Sequence, residues 1–448
     1  MKTKNVRELA LDILLQIEKN QAYSNLLLNQ KVNEANLNRK DIGLLTEIVY
    51  GTIQRKNTLD FYLEPFIKKQ KKIETWVIVL LRLSCYQMVF LDRVPSHAVI
   101  NEAVEIAKKQ SHKGISGMVN GVLRNLQRND LRNLDEVTNQ EERLAIELSH
   151  PTWLIKRWLN QFGEEVTREM CQVNLKPPQV TVRVNQMKAN VDEMLTILSE
   201  EGLEVERGDL SEDAIKVITG NVPNTKSFQD GFITIQDESS MLVSRALGPR
   251  PSEIVLDSCA APGGKSTHIA EMMEGSGNVV SIDLHDHKVK LIGKAAERLK
   301  LENIETKAID SRKLHEIYEK ETFDRILIDA PCSGFGVIRR KPDIKWAKKE
   351  QDINNLASIQ RKIIDAVAPL LKKGGTLVYS TCTLDKEENE NIVEAFLNNS
   401  NEFTLDDTLM ERMPEKLSDI VKNNKGMIQL LPHYFQTDGF FIACLKKK

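Results

Sequence analysis

Apolar positions recur every three or four residues through the first quarter of the chain. Val6, Leu9, Ala10, Ile13 and Ile17 share one helical face, and the same period returns from Leu44 to Ile53 and from Val99 to Ala107. No strand-like alternation interrupts them, so residues 1–128 are expected to form an all-helical bundle. The segment Asp92–Ala98 has turn chemistry and a proline before a helix starting near His97, and Lys113–Gly117 is expected to separate the last two helices. A polar stretch from Asn129 to Glu142 is expected as a linker, followed by an amphipathic helix from Trp153 to Phe162.

The period then changes. Val180, Val182 and Val184 alternate as in a strand, Val191–Leu198 is helical, and Phe232–Ile235 is strand-like, which predicts a small α/β linking module over residues 145–235. From residue 236 to 448, apolar runs at 254–257, 279–283, 305–309, 325–329 and 376–380 alternate with helical segments. That is the βα repeat of a doubly wound, Rossmann-like parallel sheet. Asp438-Gly439 before Phe440–Cys444 predicts a closing antiparallel hairpin.

Composition adds exclusions. At 448 residues the chain needs more than one core, and its formal charge of −2 means that a polyanionic partner must be met by local basic patches. Six cysteines, at 85, 171, 259, 332, 382 and 444, show neither CxxC nor Cys/His ligand spacing, so neither a metal site nor a disulfide framework is expected. The N-terminus lacks an unbroken apolar stretch and the run Val77–Leu81 ends at Arg82, so no membrane span or signal peptide is expected. A cytoplasmic monomer is the expectation.

The turn Cys259-Ala260-Ala261-Pro262-Gly263-Gly264-Lys265 follows the strand 254–257 and opens a helix, where backbone N–H groups face a ligand. Three cofactors compete for it. Gly264-Lys265-Ser266 matches the end of a P-loop, but the first P-loop glycine is replaced by Cys259; a GxGxxG fingerprint is absent. S-adenosylmethionine, bound through a looser glycine turn and an acidic residue at the second strand end, is the third. Asp283 ends the second strand with the spacing of a ribose-binding carboxylate, and Asp310 and Asp329 end the third and fourth.

The fourth strand runs into Asp329-Ala330-Pro331-Cys332, whereas enzymes that methylate exocyclic nitrogens typically carry [DN]PP[YFW] there. Cytosine C5 is a poor nucleophile until a thiolate adds to C6, so cysteine at this position suits carbon methylation. A second thiol, Cys382 in Ser380-Thr381-Cys382-Thr383, ends the 376–380 strand. Residue pattern alone leaves open which of the two attacks.

DSCAAPGGKS, DAPCSGFGVIRRKPDIKW and STCT together resemble the RNA cytosine-5 methyltransferases. VYGTIQRKNTLDFYL, RLSCYQMVFLDRVPSHAVINEAVEIAK and VNGVLRN resemble the NusB RNA-binding fold, and the combination resembles the Fmu/Sun group acting on 16S ribosomal RNA. The resemblance covers essentially the whole chain. It implies a Rossmann-like S-adenosylmethionine-dependent methyltransferase with a NusB-like N-terminal domain, whose cofactor is held or bordered by residues 259–265, Asp283, Asp310 and Asp329. It also implies Cys382 as nucleophile and Cys332 as the thiol assisting product release. Asp329 is then suited to the cytosine N3/N4 edge.

Basic residues Arg339, Arg340, Lys341, Lys345, Lys348 and Lys349, with Trp346 among them, are candidates for phosphate contact and base stacking. Lys68-Lys69-Gln70-Lys71-Lys72 is a weaker patch. Three alternatives stay open: a non-catalytic RNA-binding ribosome-assembly factor, a cytosine-5 methyltransferase acting on another RNA, and a P-loop NTPase.

Overall fold

The computed structural model describes residues 5–20, 24–35, 37–68, 72–418, 420–421 and 425–448. Lys69, Gln70 and Lys71 of the weaker basic patch lie outside them. The chain forms two compact units. The first comprises residues up to Pro177 together with Ile338–Lys348, and the second comprises Pro178–Val337 and Lys349–Lys448.

In the first unit helices span Val6–Asn20, Ser24–Glu34, Arg39–Gln54, Lys56–Ile67, Thr75–Phe90, Ser96–Gln110 and Lys113–Arg128. Their apolar stripes meet in one core that includes Leu11, Ile13, Leu45, Ile48, Leu80 and Leu123. The expected break at Lys113–Gly117 is not a break, because the last of these helices starts at Lys113 itself. The His112 imidazole accepts the Gly114 N–H at its N-terminus (3.2 Å), and burial of Val119, Val122, Leu123 and Leu126 outweighs the low helix propensity of its glycines. The polar stretch from Asn129 is not all linker either, since Gln140–Glu147 is helical under an Asn139 cap. Helices Thr152–Phe162 and Glu164–Asn174 complete the unit. Residues 145–177, grouped by sequence with the α/β module, therefore cluster with the helices.

The second unit contains two sheets. The smaller is antiparallel, with spatial order β2-β3-β1-β4, where β1 is Val180–Val184, β2 Glu204–Arg207, β3 Ala214–Thr219 and β4 Ile233–Ile235. Strand β1 is buried on both faces. Val182 and Val184 pack with Met194, Leu198 and Ile215, while Arg183 on the opposite face is also 1% exposed.

The larger sheet has the order β10-β12-β9-β8-β5-β6-β7, with β11 paired to β12. Its parallel strands are β5 (Ile254–Asp257), β6 (Asn278–Asp283), β7 (Ile304–Ala308), β8 (Phe323–Asp329) and β9 (Leu371–Thr381). The short β10 (Phe403–Leu405) and β11 (Met427–Leu430) and the long β12 (Phe440–Lys447) are antiparallel additions. Strand β12 pairs antiparallel with the preceding β11 as well as with β9, so the closing hairpin forms, with Asp438-Gly439 ending a connection over 431–439 rather than making a two-residue turn. Continuous apolar runs such as Ile326-Leu327-Ile328 arise because both faces of the sheet are covered, giving two cores.

Candidate active site

The strand order jumps outward from β5 in both directions, to β6 and to β8, which makes the carboxyl ends of these strands a topological switch point where a ligand crevice forms. Asp257, Asp283 and Asp329 close β5, β6 and β8. Asp310 lies two residues beyond β7. They do not play the same part. Asp257 is 1% exposed and accepts the Ser266 hydroxyl at 2.6 Å, and burial pushes its carboxyl up to about 7, so it braces the following helix from beneath. Asp310 caps the short turn at Ser311–Glu316 and is bound by the Arg312 guanidinium, which holds its carboxyl below the usual range.

Asp283 is positioned differently. Its oxygens accept the Ala261 and His285 N–H groups, both at 3.3 Å, so the carboxylate is tied to the glycine turn while keeping lone pairs for a further donor. Gly263, with φ 104°, sits where an added Cβ would meet Ile292 Cα at 3.1 Å, so only glycine lets the turn pack down onto the helix Asp286–Leu299 that follows β6. The helix Gly264–Met272 begins there and offers unpaired N–H groups. A ribose diol needs a carboxylate acceptor and a carboxyl-bearing tail needs backbone donors, so these residues fit S-adenosylmethionine.

Arg183 is a site residue that the sequence reading missed. From β1 its guanidinium donates to the Gly264 carbonyl (2.9 Å) and to both oxygens of Glu271 (2.9 and 3.0 Å), both on the helix after the turn. The charge is buried but paired at every face, which makes it a strut for the cofactor turn. Its one signal was a charged residue inside a valine strand, which usually means a solvent-facing position.

Both thiols come together. Cys332, after β8, and Cys382, after β9, have their sulfurs 3.4 Å apart. The Cys332 thiol is held well above its ordinary pKa, first by its hydrogen bond to Cys382 and then by burial. Cys259 in the turn is pushed up to about 12 by burial, consistent with a backbone role. Lys265 donates to Asp329 at 2.6 Å, and Ser380 donates to the other Asp329 oxygen at 2.8 Å. Burial opposes the Lys265 charge, but Asp329 and then Cys382 outweigh it and keep the ammonium protonated. The Lys265 ammonium is thus within electrostatic reach of the Cys382 sulfur.

Lys345 and Trp346 are elsewhere. Lys345 is fully buried in the first unit, donating to the carbonyls of Gln54 (2.8 Å) and Ser149 (2.5 Å), and the Trp346 indole donates to Ile53 O at 2.7 Å. Arg339 is buried as well and donates to Pro177 O. The expectation that Lys345 and Trp346 grip RNA is corrected: apolar flanks and unpaired carbonyls on the helices take up this segment as core.

Among the described residues no group of three or more His, Cys, Asp or Glu side chains is gathered as a metal ion would require. No helix among them is long and apolar enough to cross a membrane.

A mostly parallel sheet with an antiparallel strand beside β9, a glycine turn and strand-end carboxylates defines an S-adenosylmethionine-dependent methyltransferase fold. Residues 244–446 match the model described as 16S rRNA methyltransferase RsmB/F, residues 4–128 the NusB family, and residues 150–223 the ferredoxin-like domain of RsmF/B-like methyltransferases. The chain is 54% identical to the probable ribosomal RNA small subunit methyltransferase B of Bacillus subtilis, and 35% identical to the ribosomal RNA small subunit methyltransferase B of Escherichia coli O127:H6. Each alignment covers 100% of both chains. The chain belongs to the RsmB/F family of S-adenosylmethionine-dependent rRNA methyltransferases. A solved structure of PH0851 is 27% identical with a TM-score of 0.83, covering 100% of this chain and 99% of that one. A methyltransferase homolog from Pyrococcus horikoshii is 28% identical with a TM-score of 0.59, covering 70% and 100%.

Proposed function

We propose that the protein methylates C5 of a cytosine in 16S ribosomal RNA, in the cytoplasm, through a covalent bond between Cys382 and cytosine C6. The observation that supports this reading most is the meeting of two thiols from separate strand ends, their sulfurs 3.4 Å apart and Cys382 within electrostatic reach of the Lys265 ammonium. Bound S-adenosylmethionine supplies an electrophilic methyl group. Cys382 adds to C6 and raises the electron density at C5, which takes the methyl; a base removes the C5 proton, and the Cys382–C6 bond breaks to restore the aromatic ring. Asp329, with one oxygen on Lys265 and one on Ser380, is suited to accept from the cytosine N4 amino group, which distinguishes cytosine from uracil. Cys332 is the thiol beside the leaving sulfur and assists release. The cytosine must leave its stack to reach these groups.

The test is a pair of substitutions. Cys382→Ala abolishes methyl transfer and forms no protein–RNA adduct, whereas Cys332→Ala still attacks but stalls before elimination, leaving an adduct that survives denaturing electrophoresis. An adduct with Cys382→Ala and none with Cys332→Ala reverses the roles, and activity retained in both ends the covalent reading. Asp283→Ala weakens S-adenosylmethionine binding roughly tenfold to a hundredfold, the worth of a charged hydrogen bond. Unchanged affinity by calorimetry removes Asp283 from the site.

A further inference from the structure

The two thiols sit on separate loops, so something must fix their spacing. Glu388, on the loop after Cys382, has no exposed surface. One of its oxygens accepts the Ser333 N–H at 2.8 Å and the Gln360 side-chain N–H at 3.0 Å; the other accepts the Ser333 hydroxyl. Ser333 directly follows Cys332. Because its single hydroxyl proton goes to Glu388, its oxygen accepts from the Thr383 hydroxyl at 2.6 Å, and Thr383 directly follows Cys382. Gln360 also donates to Pro331 O at 2.9 Å, so the residues on both sides of Cys332 are held. The Tyr379 hydroxyl donates to the Glu388 carbonyl at 2.6 Å and anchors the carboxylate's own backbone to β9.

We propose that Glu388 is a positioning residue for methyl transfer, clamping the Cys332 loop to the Cys382 loop through Ser333 and Thr383 so that the two sulfurs stay within contact. Burial raises the Glu388 carboxyl to about 6, which leaves it an acceptor of three donors at neutral pH. Its kinetic role rests on the covalent reading above, but the geometry it sets does not. Dibromobimane, which fluoresces only after bridging two neighbouring thiols, reads that geometry without any turnover, with Cys332→Ala and Cys382→Ala as blanks.

In the full-length protein, Glu388→Ala is expected to slow bridging at least tenfold and to lower kcat roughly a hundredfold, the cost of an ångström-scale misplacement, with S-adenosylmethionine affinity unchanged. Glu388→Gln keeps an acceptor for Ser333 N–H and Gln360 and a polar contact to the Ser333 hydroxyl, and is expected to restore bridging and most of kcat. If Glu388→Ala does not fold, Ser333→Ala cuts the same link and is expected to slow bridging and kcat together. Wild-type bridging in Glu388→Ala, or in Ser333→Ala where that variant decides, overturns the clamp. So does loss of cofactor affinity in step with kcat. A slowed bridge combined with full activity of Cys382→Ala overturns the covalent reading and leaves the clamp as a geometric fact only, so the two failures are separable.

Discussion

Two buried lysines, one in each unit, show how little residue type says about electrostatic state. Lys345 lies among the helices with two carbonyl oxygens and the face of Trp346 for partners, and burial lowers it to about 7. Lys265 lies at the sheet's carboxyl edge, exposes 12% of its side chain, and is pushed the other way by Asp329 and Cys382. Carbonyl dipoles satisfy hydrogen-bond geometry but do not repay the desolvation of a full charge, whereas a carboxylate 2.6 Å away does. The first lysine is a structural pin; the second carries a charge where chemistry needs it.

The largest effect that tests this contrast is kinetic. Lys265→Met removes the cation paired with Asp329 and within electrostatic reach of Cys382, and should lower single-turnover methyl transfer by roughly 10²–10³-fold, the scale seen when one preorganised electrostatic partner is lost. Lys345→Met should leave the rate of the folded protein within a few-fold. Equal losses in both, at saturating cofactor and RNA, would break the comparison.

Stability separates them in the opposite sense. Lys345→Met leaves the Gln54 and Ser149 carbonyls without this donor and should cost about 2–5 kcal/mol near pH 9 in denaturant melts. Because the folded Lys345 binds its proton only below about pH 7 while the unfolded chain does so below its ordinary 10.5, wild-type stability rises with pH between those values and is flat below 7. The cost of the substitution therefore shrinks as pH falls from 9 to 7. A pH-independent difference would mean that Lys345 stays charged.

The smallest effect concerns the acidic counterpart. Asp257 has a hydroxyl partner, and its folded pKa is raised to about 7, so its contribution is full below pH 3.8 and is lost as pH rises through 7. Asp257→Asn keeps an acceptor for Ser266 and should gain stability relative to wild type by about 3 kcal/mol between pH 4 and pH 7. No drift in that difference would show that burial is offset by neighbours.

Much of this was legible in one dimension where a local rule has a single structural solution. The runs ending at Asp257, Asp283 and Asp329 are strands because both faces of a parallel sheet are buried. Gly263-Gly264 had to be a tight turn before a helix. The valine strand β1 was legible too, but its partners β2 and β3 were not, since Glu204–Arg207 has no apolar alternation and pairs only because β3 offers an open edge. Lys113–Gly117 has breaker composition, and tertiary burial overrode it.

The sequence by itself determined the element types, the glycine turn, the strand-end carboxylates and the presence of two thiols after two strands, because each depends on residues close together in the chain. Only the tertiary structure decided what those groups face. The 3.4 Å approach of Cys332 to Cys382, the Lys265–Asp329 pair, the Arg183 strut, the Glu388 clamp, the burial of Lys345 and the tie of Trp346 to a helix carbonyl join residues tens to hundreds of positions apart. Periodicity carries no information about such distances, and burial and pairing, which set the charge of every group in the site, exist only once the chain has folded.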